Sequence, residues 1–332
     1  MLGYLTGRVL TMLGTLAVIS VLVFVIIQLP PGDYLTTYIA ELRAAGESVT
    51  DDKVAFLREQ YGLDKPMPVQ YLDWVIGLTH GDLGYSFEYA MPVSDVVGDR
   101  LFLTLVLNFV TILFIYAVSF PIGVYIATHQ YSVADHSLSF LGYLGLATPN
   151  FLLALILLYA SNTLFGISVG GLMDPAYTDE PWTGPKIASL LAHLVVPVLV
   201  IGTSGTAGMI RRLSANLLDE LQKPYVVTAR AKGLSEGRIL RKYPLRAVLN
   251  PFVADIGTLL PQVVSGSVIV SAVMSLPTTG PMLLSSLRSQ DMYLAGSFLM
   301  FLAVLTVIGM LVSDVLLAVI DPRIRLAGTR KA

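Results

Sequence analysis

The sequence predicts an all-α integral membrane protein with six transmembrane helices and a helical extracytoplasmic segment after the first of them. Two observations predict this fold. The mean hydropathy of +0.72 over 332 residues exceeds what a soluble core requires. Six apolar windows are also long enough to cross a hydrocarbon core of ~30 Å at about 1.5 Å per residue. The windows cover residues 9–29, 101–127, 138–164, 187–210, 252–276 and 295–320.

The first window is expected to be a retained helix. No small-residue cleavage site follows it, and Pro30, Pro31, Gly32 and Asp33 come directly after its end. A secretory signal peptide would carry such a cleavage site. We therefore interpret residues 1–30 as the first transmembrane helix.

Charge is distributed unevenly between the connectors. Six spans place both termini and the connectors 128–137 and 211–251 on one side, which carries 14 of the 21 lysines and arginines. The other side carries 16 of the 23 acidic residues, 12 of them between Asp33 and Asp99. Lysine and arginine are enriched in cytoplasmic connectors, so we expect both termini in the cytoplasm. The chain then divides into the first helix (1–30), an extracytoplasmic segment (31–100), a five-helix core (101–320) and a cytoplasmic tail (321–332).

The extracytoplasmic segment is expected to contain short helices. The stretches DDKVAFLREQYGL and PVQYLDWVIGL place apolar residues at helical spacing, and DKPMP separates them. A partly ordered acidic loop is the alternative. Within the spans, Pro121, Pro149, Pro197 and Pro261 each remove a backbone donor and predict kinks.

Several function classes are excluded or disfavoured. The chain has no cysteine, which excludes disulfides and thiolate metal sites. It has no G-x-x-x-x-G-K-[ST] phosphate loop, so we expect it not to hydrolyse ATP itself. Ser204 lies between glycines in a span, but His193 is about three turns away on the same helix, so close helix packing is favoured over an intramembrane protease. We expect no catalytic, cofactor or metal site in this chain and no nucleic-acid partner.

The connector 211–251 concentrates nine lysines and arginines. Its pattern predicts two short helices after the fourth span: Tyr225 to Lys232, ended by Gly233 in a left-handed turn, and a second helix capped by Ser235 and running through Arg241. Small residues and long cations alternate in the TARAKGL stretch. Topology and binding of anionic lipid explain the charge count but not this arrangement.

TARAKGL resembles the coupling motif of ATP-binding-cassette importer permeases, which reads EAA, three residues, G, nine residues, I-x-L-P. Ala229 and Gly233 fall at the second alanine and the glycine of that motif, and Leu245 falls at its leucine. Four positions depart from it: Val227, Thr228, Tyr243 and Arg246. The resemblance implies that the ATPase-coupling residues are Thr228, Ala229, Arg230, Ala231, Lys232, Gly233 and Leu234.

Four further segments, YGLDKPMPVQY, GDLGYSF, ATPNF and DPRIRL, are similar to the B-type permease of dipeptide and oligopeptide importers. The family usually reads PGDP near residue 30, whereas this chain has PPGDYLTTYIAELRAAGESV. That departure lies in the outer segment and concerns the substrate more than the mechanism.

The resemblance implies the type I importer permease fold in a bacterial or archaeal inner membrane. It also implies a second homologous permease subunit, two ATP-binding cassette subunits that bind ATP and magnesium, an extracytoplasmic solute-binding protein, and contact with membrane lipid. The implied cargo is dipeptides or oligopeptides, with oligosaccharides as an alternative. An ion-coupled secondary transporter is a more remote alternative.

Polar residues inside the predicted spans are candidates for a translocation path. Gln262 and Ser265 are three residues apart on one helix face, and interhelical hydrogen bonding is the alternative for each candidate. The candidates are Asn108, Asn150, Gln262 and Ser265. Asp255 and Asp314 are the acids in the spans, and we favour a structural or gate-stabilising role for them over proton relay.

Overall fold

The computed structural model describes residues 2–29, 34–44, 50–60, 64–178 and 180–320. Within these ranges the chain is almost entirely helical, with one two-stranded antiparallel hairpin of β1 (Tyr85–Ser86) and β2 (Met91–Pro92). The helices up to the middle of the chain are α1 (Leu2–Gln28), α2 (Tyr34–Ala44), α3 (Asp51–Gln60), α4 (Met67–Thr79), α5 (Val93–Thr128), α6 (Val133–Ala147) and α7 (Asn150–Phe165). The remaining helices are α8 (Gly184–Leu221), α9 (Pro224–Ala231), α10 (Glu236–Lys242), α11 (Pro244–Ala254), α12 (Ile256–Val273), α13 (Thr279–Ser289) and α14 (Met292–Ile320).

Among the described residues, the helices α1, α5, α8, α12 and α14 are each long and apolar enough to cross a membrane. The bent pair α6 and α7 brings the number to the predicted six when the pair is counted as one span. The protein is therefore a multi-pass membrane protein. The predicted start of the fifth window was wrong, because Phe252 belongs to α11 and the span begins at Ile256.

The third predicted window is bent sharply. Its two halves, α6 and α7, meet at an angle of 102° across Thr148 and Pro149. Proline disfavours helical conformation at the preceding residue, and Thr148 accordingly has an extended ψ of 118°. The bend follows the kink predicted at Pro149. By contrast, α5, α8 and α12 continue through Pro121, Pro197 and Pro261.

Contacts between Cα atoms divide the chain into two units. The described residues of the first unit are 2–4, 105–178, 180–277 and 308–320, and its centre is α8, which contacts α6, α7, α11 and α12. Glycines bring α8 close to α5, since a Cβ at Gly202 would lie 2.7 Å from the Phe114 ring and one at Gly205 would lie 2.7 Å from Ile115 Cδ1. This is the small-residue packing expected for the GTSG stretch.

The described residues of the second unit are 5–29, 34–44, 50–60, 64–104 and 278–307. Its core includes Val23 and Phe24 of α1, Trp74 of α4 and Met292 of α14, which form one apolar cluster. The short helices α3 and α4 lie where the two amphipathic stretches predicted them, and α2 is a further helix between them and the first span.

Three sequence features lie outside the described residues: the PPGD stretch at 30–33, the DPRIRL stretch at 321–326 and the tail 321–332.

Candidate functional site

The pair of short helices predicted in the basic connector is present. Helix α9 begins with Pro224 at its first turn and ends before Gly233, which has a left-handed φ of +76°. Ser235 occupies the N-cap position of α10, as predicted, but its side chain makes no capping hydrogen bond. We call residues 223–243, which contain both helices and the turn between them, the knob.

The knob has a small apolar core of its own. Val226 and Ile239 are fully buried and Ala229 is 4% exposed, and Leu234 and Tyr243 pack against these three. Ala229 therefore faces the second helix of the knob. A small side chain there lets α9 and α10 approach closely, which explains an alanine at this motif position.

Most of the other candidate coupling residues are at the surface. Leu234 is half-buried, and the exposed members are Thr228, Arg230, Ala231, Lys232 and Gly233. Val227, one turn before Ala231 on the same helical face, is 58% exposed. An exposed β-branched apolar side chain beside an exposed alanine and glycine forms a surface suited to covering by another protein. In the sequence, Val227 is only a position that differs from the coupling motif, and its exposure could not be predicted from that difference.

A salt bridge connects the two helices of the knob. Arg230 donates from Nε to Glu236 Oε1 at 2.7 Å and from Nη2 to Glu236 Oε2 at 3.1 Å. The hydrogen bonds from Arg230 hold the pKa of Glu236 below its usual range. Both side chains are exposed, so the pair orients the helices more than it stabilises them.

Four of the other cations of the connector form a separate group. Arg238, Arg241, Lys242 and Arg246 surround a surface cavity of about 580 Å³ together with Ser235 and Gly237. This basic cavity lies on α10 and α11, whereas the small residues lie on α9 and the turn after it. The charges that suit anionic lipid are thus separated from the surface that suits a protein partner.

The bundle of the first unit contains a cavity of about 340 Å³. Its polar lining includes Asn150 of α7, Ser204 of α8 and Gln262 of α12, and Arg212 closes one part of it. Three glycines, Gly205, Gly208 and Gly266, leave the space open. Two of the four predicted path residues thus meet at one cavity. Ser265 is exposed on α12 without lining the cavity, and Asn108 is buried within α5.

The two acids predicted to lie in spans have distinct surroundings. Asp255 lies at the N-terminus of α12, where the helix dipole favours an anion, and its carboxylate is 3.2 Å from Arg212 Nη1. Asp314 is half-buried on α14 beside Ser313, whose hydroxyl donates to the carbonyl oxygens of Val253 and Ala254. The structural or gate-stabilising role of these two acids stays a prediction.

His193 and Ser204, the two residues considered for a protease, have different surroundings. His193 Nδ1 lies 2.8 Å from the carbonyl oxygen of Ser189, and Ser204 lines the bundle cavity. In the part of the chain that the structure describes, no cluster of three or more potential metal ligands occurs.

Six apolar spans, a polar cavity within the bundle and an exposed helical knob define a membrane transport subunit. Comparison with known families also indicates a membrane transport subunit, and it identifies the family. Residues 119–326 match the model of the binding-protein-dependent transport system inner membrane component, and residues 1–108 match the N-terminal model of the same kind of membrane component.

Individual relatives cover nearly the whole chain. The oligopeptide transport system permease protein AppB of Bacillus subtilis is 34% identical over 325 residues, which is 98% of this chain and 99% of the relative. The dipeptide transport system permease protein DppB of Escherichia coli is 28% identical over 341 residues, with the same coverage. The glutathione transport system permease protein GsiC of Salmonella choleraesuis is 29% identical over 325 residues, also with that coverage. The chain belongs to the family of binding-protein-dependent transport system inner membrane components.

Proposed function

We propose that this chain is a permease subunit of an ATP-driven importer of peptides. The knob carries the proposal, because it exposes Val227, Ala231 and Gly233 on a surface that the described residues do not cover. A subunit of this family needs an energy source, and its own sequence has no phosphate loop. The knob is the natural place for a partner ATPase to bind.

The proposed assembly contains this chain, a second homologous permease, two ATP-binding cassette subunits and an extracytoplasmic solute-binding protein. ATP and magnesium bind in the cassette subunits. Lysine and arginine are concentrated in the connectors on one side of the membrane. This distribution supports placing the knob and both termini in the cytoplasm, with the spans in a bacterial or archaeal inner membrane.

Mechanically, closure of the two ATPases on ATP pushes the knobs of the two permeases together. The knob is joined to α8 through Gln222 and Lys223 and to α11 through Tyr243, so its movement passes directly into both helices. Because α8 contacts α6, α7, α11 and α12, a shift of α8 alters the walls of the bundle cavity. The cavity then alternates between inward-facing and outward-facing forms, and ATP hydrolysis resets it.

Peptides are the cargo favoured by the names of the relatives, which transport oligopeptides, dipeptides and glutathione. The bundle cavity fits such cargo, because Asn150 and Gln262 offer amide donors and acceptors that match peptide groups. Neither residue carries a charge that would hold a peptide too tightly to release it.

The test is purification of this chain from its native membrane, followed by mass spectrometry of its partners and peptide uptake by the reconstituted complex. Gly233→Trp is expected to abolish uptake and reduce the ATPase recovered. No atom lies within 4 Å of a Cβ at this position, so the indole projects into the partner surface. The matched control is Gly233→Ala, which carries the same backbone strain at a φ of +76° but has no indole to project into a partner. Recovery of the chain without any ATPase, or uptake that survives ATP depletion and collapses with the proton gradient, would replace this proposal with the ion-coupled transporter.

A further inference from the structure

Helix α4 (Met67–Thr79) exposes apolar side chains on the face that points away from the rest of its unit. Val69 is 41% exposed, Leu72 is 54% exposed and Ile76 is 55% exposed, and their spacing puts them on one helix face. The opposite face is also apolar and contains the buried Trp74. A helix that is apolar on both faces is typical of a protein core or a membrane and not of a surface in water.

The polar groups of α4 gather on one flank between these two faces. Asp73 is the one charged residue of the helix, and it is rotated by about 100° from Leu72. Its carboxylate lies 2.7 Å from Lys65 Nζ, and it lines a surface cavity of about 640 Å³ together with Asp82. A charged flank beside an apolar face is typical of a helix that lies along the boundary between lipid and water.

The inner face of α4 packs against two membrane spans. The Tyr71 hydroxyl lies 2.9 Å from the Ser20 hydroxyl of α1, and the Tyr71 ring meets Phe24 of α1 edge-on, with 5.4 Å between the ring centroids. On α14, a Cβ at Gly296 would lie 3.0 Å from the Trp74 ring. The glycine therefore allows α4 to approach the backbone of α14 closely.

These contacts lie within the lengths of the two spans. Gln28 ends the first span and Met292 begins the last, and Gln28 Nε2 donates to Met292 Sδ at 3.1 Å, so the two ends lie at the same level. Ser20 precedes Gln28 by eight positions, which is about 12 Å along the helix. Gly296 follows Met292 by four positions, or about 6 Å. Helix α4 thus lies beside the spans and not beyond their ends.

We propose that α4 is embedded in the membrane leaflet on the side of the outer segment, with Val69, Leu72 and Ile76 against lipid acyl chains and Asp73 among the headgroups. Interfacial helices insert their apolar face by about 5–10 Å, which agrees with the depth of the contacts on α1 and α14. The inference goes beyond the proposed function and does not rest on it. It assigns a lipid-binding surface to a segment that was predicted to lie outside the membrane.

Lipid is the occupant that the surroundings of this face favour. At the level of the α4 contacts, α1 exposes Leu22 and Ile26, which are 53% and 56% exposed and belong to a membrane span. The apolar face of α4 therefore continues a surface that already faces acyl chains. A soluble partner protein would have to reach past the ends of two spans to cover it.

Single cysteines test this placement directly, because the chain has none of its own. Nitroxide labels at Leu72→Cys and Ile76→Cys are compared by electron paramagnetic resonance, using the full chain purified with its native partner subunits and reconstituted in lipid nanodiscs. Oxygen concentrates in lipid, whereas a nickel chelate stays in water. Relative to the same label free in solution, both sites should favour oxygen about threefold or more, as should Val18→Cys on the exposed surface of α1.

The matched control is Asp73→Cys, the next position on the same helix. Its label should favour the nickel chelate, and the loss of the exposed pair with Lys65 should change stability little. Asp52→Cys, an exposed site on α3, gives a second value from the outer segment, and it should also favour the chelate. The same preference at residues 72 and 73, in either direction, would contradict the placement of α4 at the interface.

The two reagents also separate the other possible occupants. Preference for the nickel chelate at both Leu72→Cys and Ile76→Cys would mean that the face lies in water, where a soluble protein could bind it. Low collision rates with both reagents would mean that another membrane subunit covers the face. Either result would overturn the proposal, whereas preference for oxygen at both sites with preference for the chelate at Asp73→Cys would support it.

Discussion

The knob and the outer turn at residues 81–92 are both short connectors marked by sequence motifs, and they are built in opposite ways. The outer turn is held by hydrogen bonds to one buried carboxylate, that of Asp291. This carboxylate accepts from Ser86 Oγ at 2.6 Å, from the Glu88 N–H at 3.0 Å and from the Leu294 N–H at 3.1 Å. The knob has three buried apolar side chains and exposes nearly everything else. The residues 81–92 are thus held by buried hydrogen bonds to a distant part of the chain, whereas the knob leaves most of its surface exposed, as the proposed contact with a partner requires.

The largest effect is expected at the outer turn. Asp291→Ala leaves three buried donors without an acceptor, at about 1–3 kcal/mol each. The midpoint of thermal unfolding, followed by size-exclusion chromatography of heated samples, should fall by roughly 5 °C or more. Asp95→Ala, an exposed acid at the start of α5, is the matched control and should shift it little. Equal shifts for the two variants would show that the Asp291 hydrogen bonds do not hold the turn.

At the knob, the expected effect is on binding and not on stability. Val227→Asp places a charge on the exposed face of α9, so co-purification of the ATPase should fall about tenfold, or about 1.4 kcal/mol. The unfolding midpoint should stay unchanged because Val227 is 58% exposed. Val133→Asp makes the same change at an 84% exposed site outside the knob. If Val227→Asp unfolds the chain or leaves the recovery of ATPase intact, the claim that the exposed face of the knob serves binding and not stability is wrong.

A smaller effect is expected along the bundle cavity. Gln262→Leu removes an exposed amide from α12 and should lower peptide uptake severalfold, while ATPase recovery and thermal stability remain unchanged. Ile269→Leu changes another exposed side chain of α12 outside the cavity and serves as the control. Unchanged uptake in Gln262→Leu would remove this residue from the path.

The smallest effect is expected for the Arg230–Glu236 pair. Because Arg230 lowers the pKa of Glu236, the contribution of the pair is present above the ordinary carboxyl pKa and is lost only as pH falls through the lowered value. Uptake should therefore show no step from this pair between about pH 5.5 and 8. Glu236→Gln should change ATPase recovery less than twofold, as is usual for an exposed pair. A pH step in uptake that disappears in Glu236→Gln would mean that the pair has a larger role.

Several features were accessible from sequence because they depend on local chemistry. Apolar runs of about twenty residues fixed the six spans, Pro149 predicted the position of the bend, and Gly233 predicted the left-handed turn of the knob. The relation of the basic connector to a coupling motif also followed from contiguous residues. Each of these signals lies within one stretch of chain, where backbone preference and hydrophobicity act directly.

Other features depended on residues far apart in the chain. Ser86 and Asp291 are 205 positions apart, and nothing in either local sequence indicates that they bind each other. The same holds for the meeting of Asn150 with Gln262 at one cavity, and for the burial of Ala229 beside the exposed Val227. Hydrophobic pattern and turn chemistry determined which segments cross the membrane and where they turn. Only tertiary packing decided which polar groups became buried partners and which remained available to bind, because long-range contacts depend on the spatial arrangement of all the helices at once.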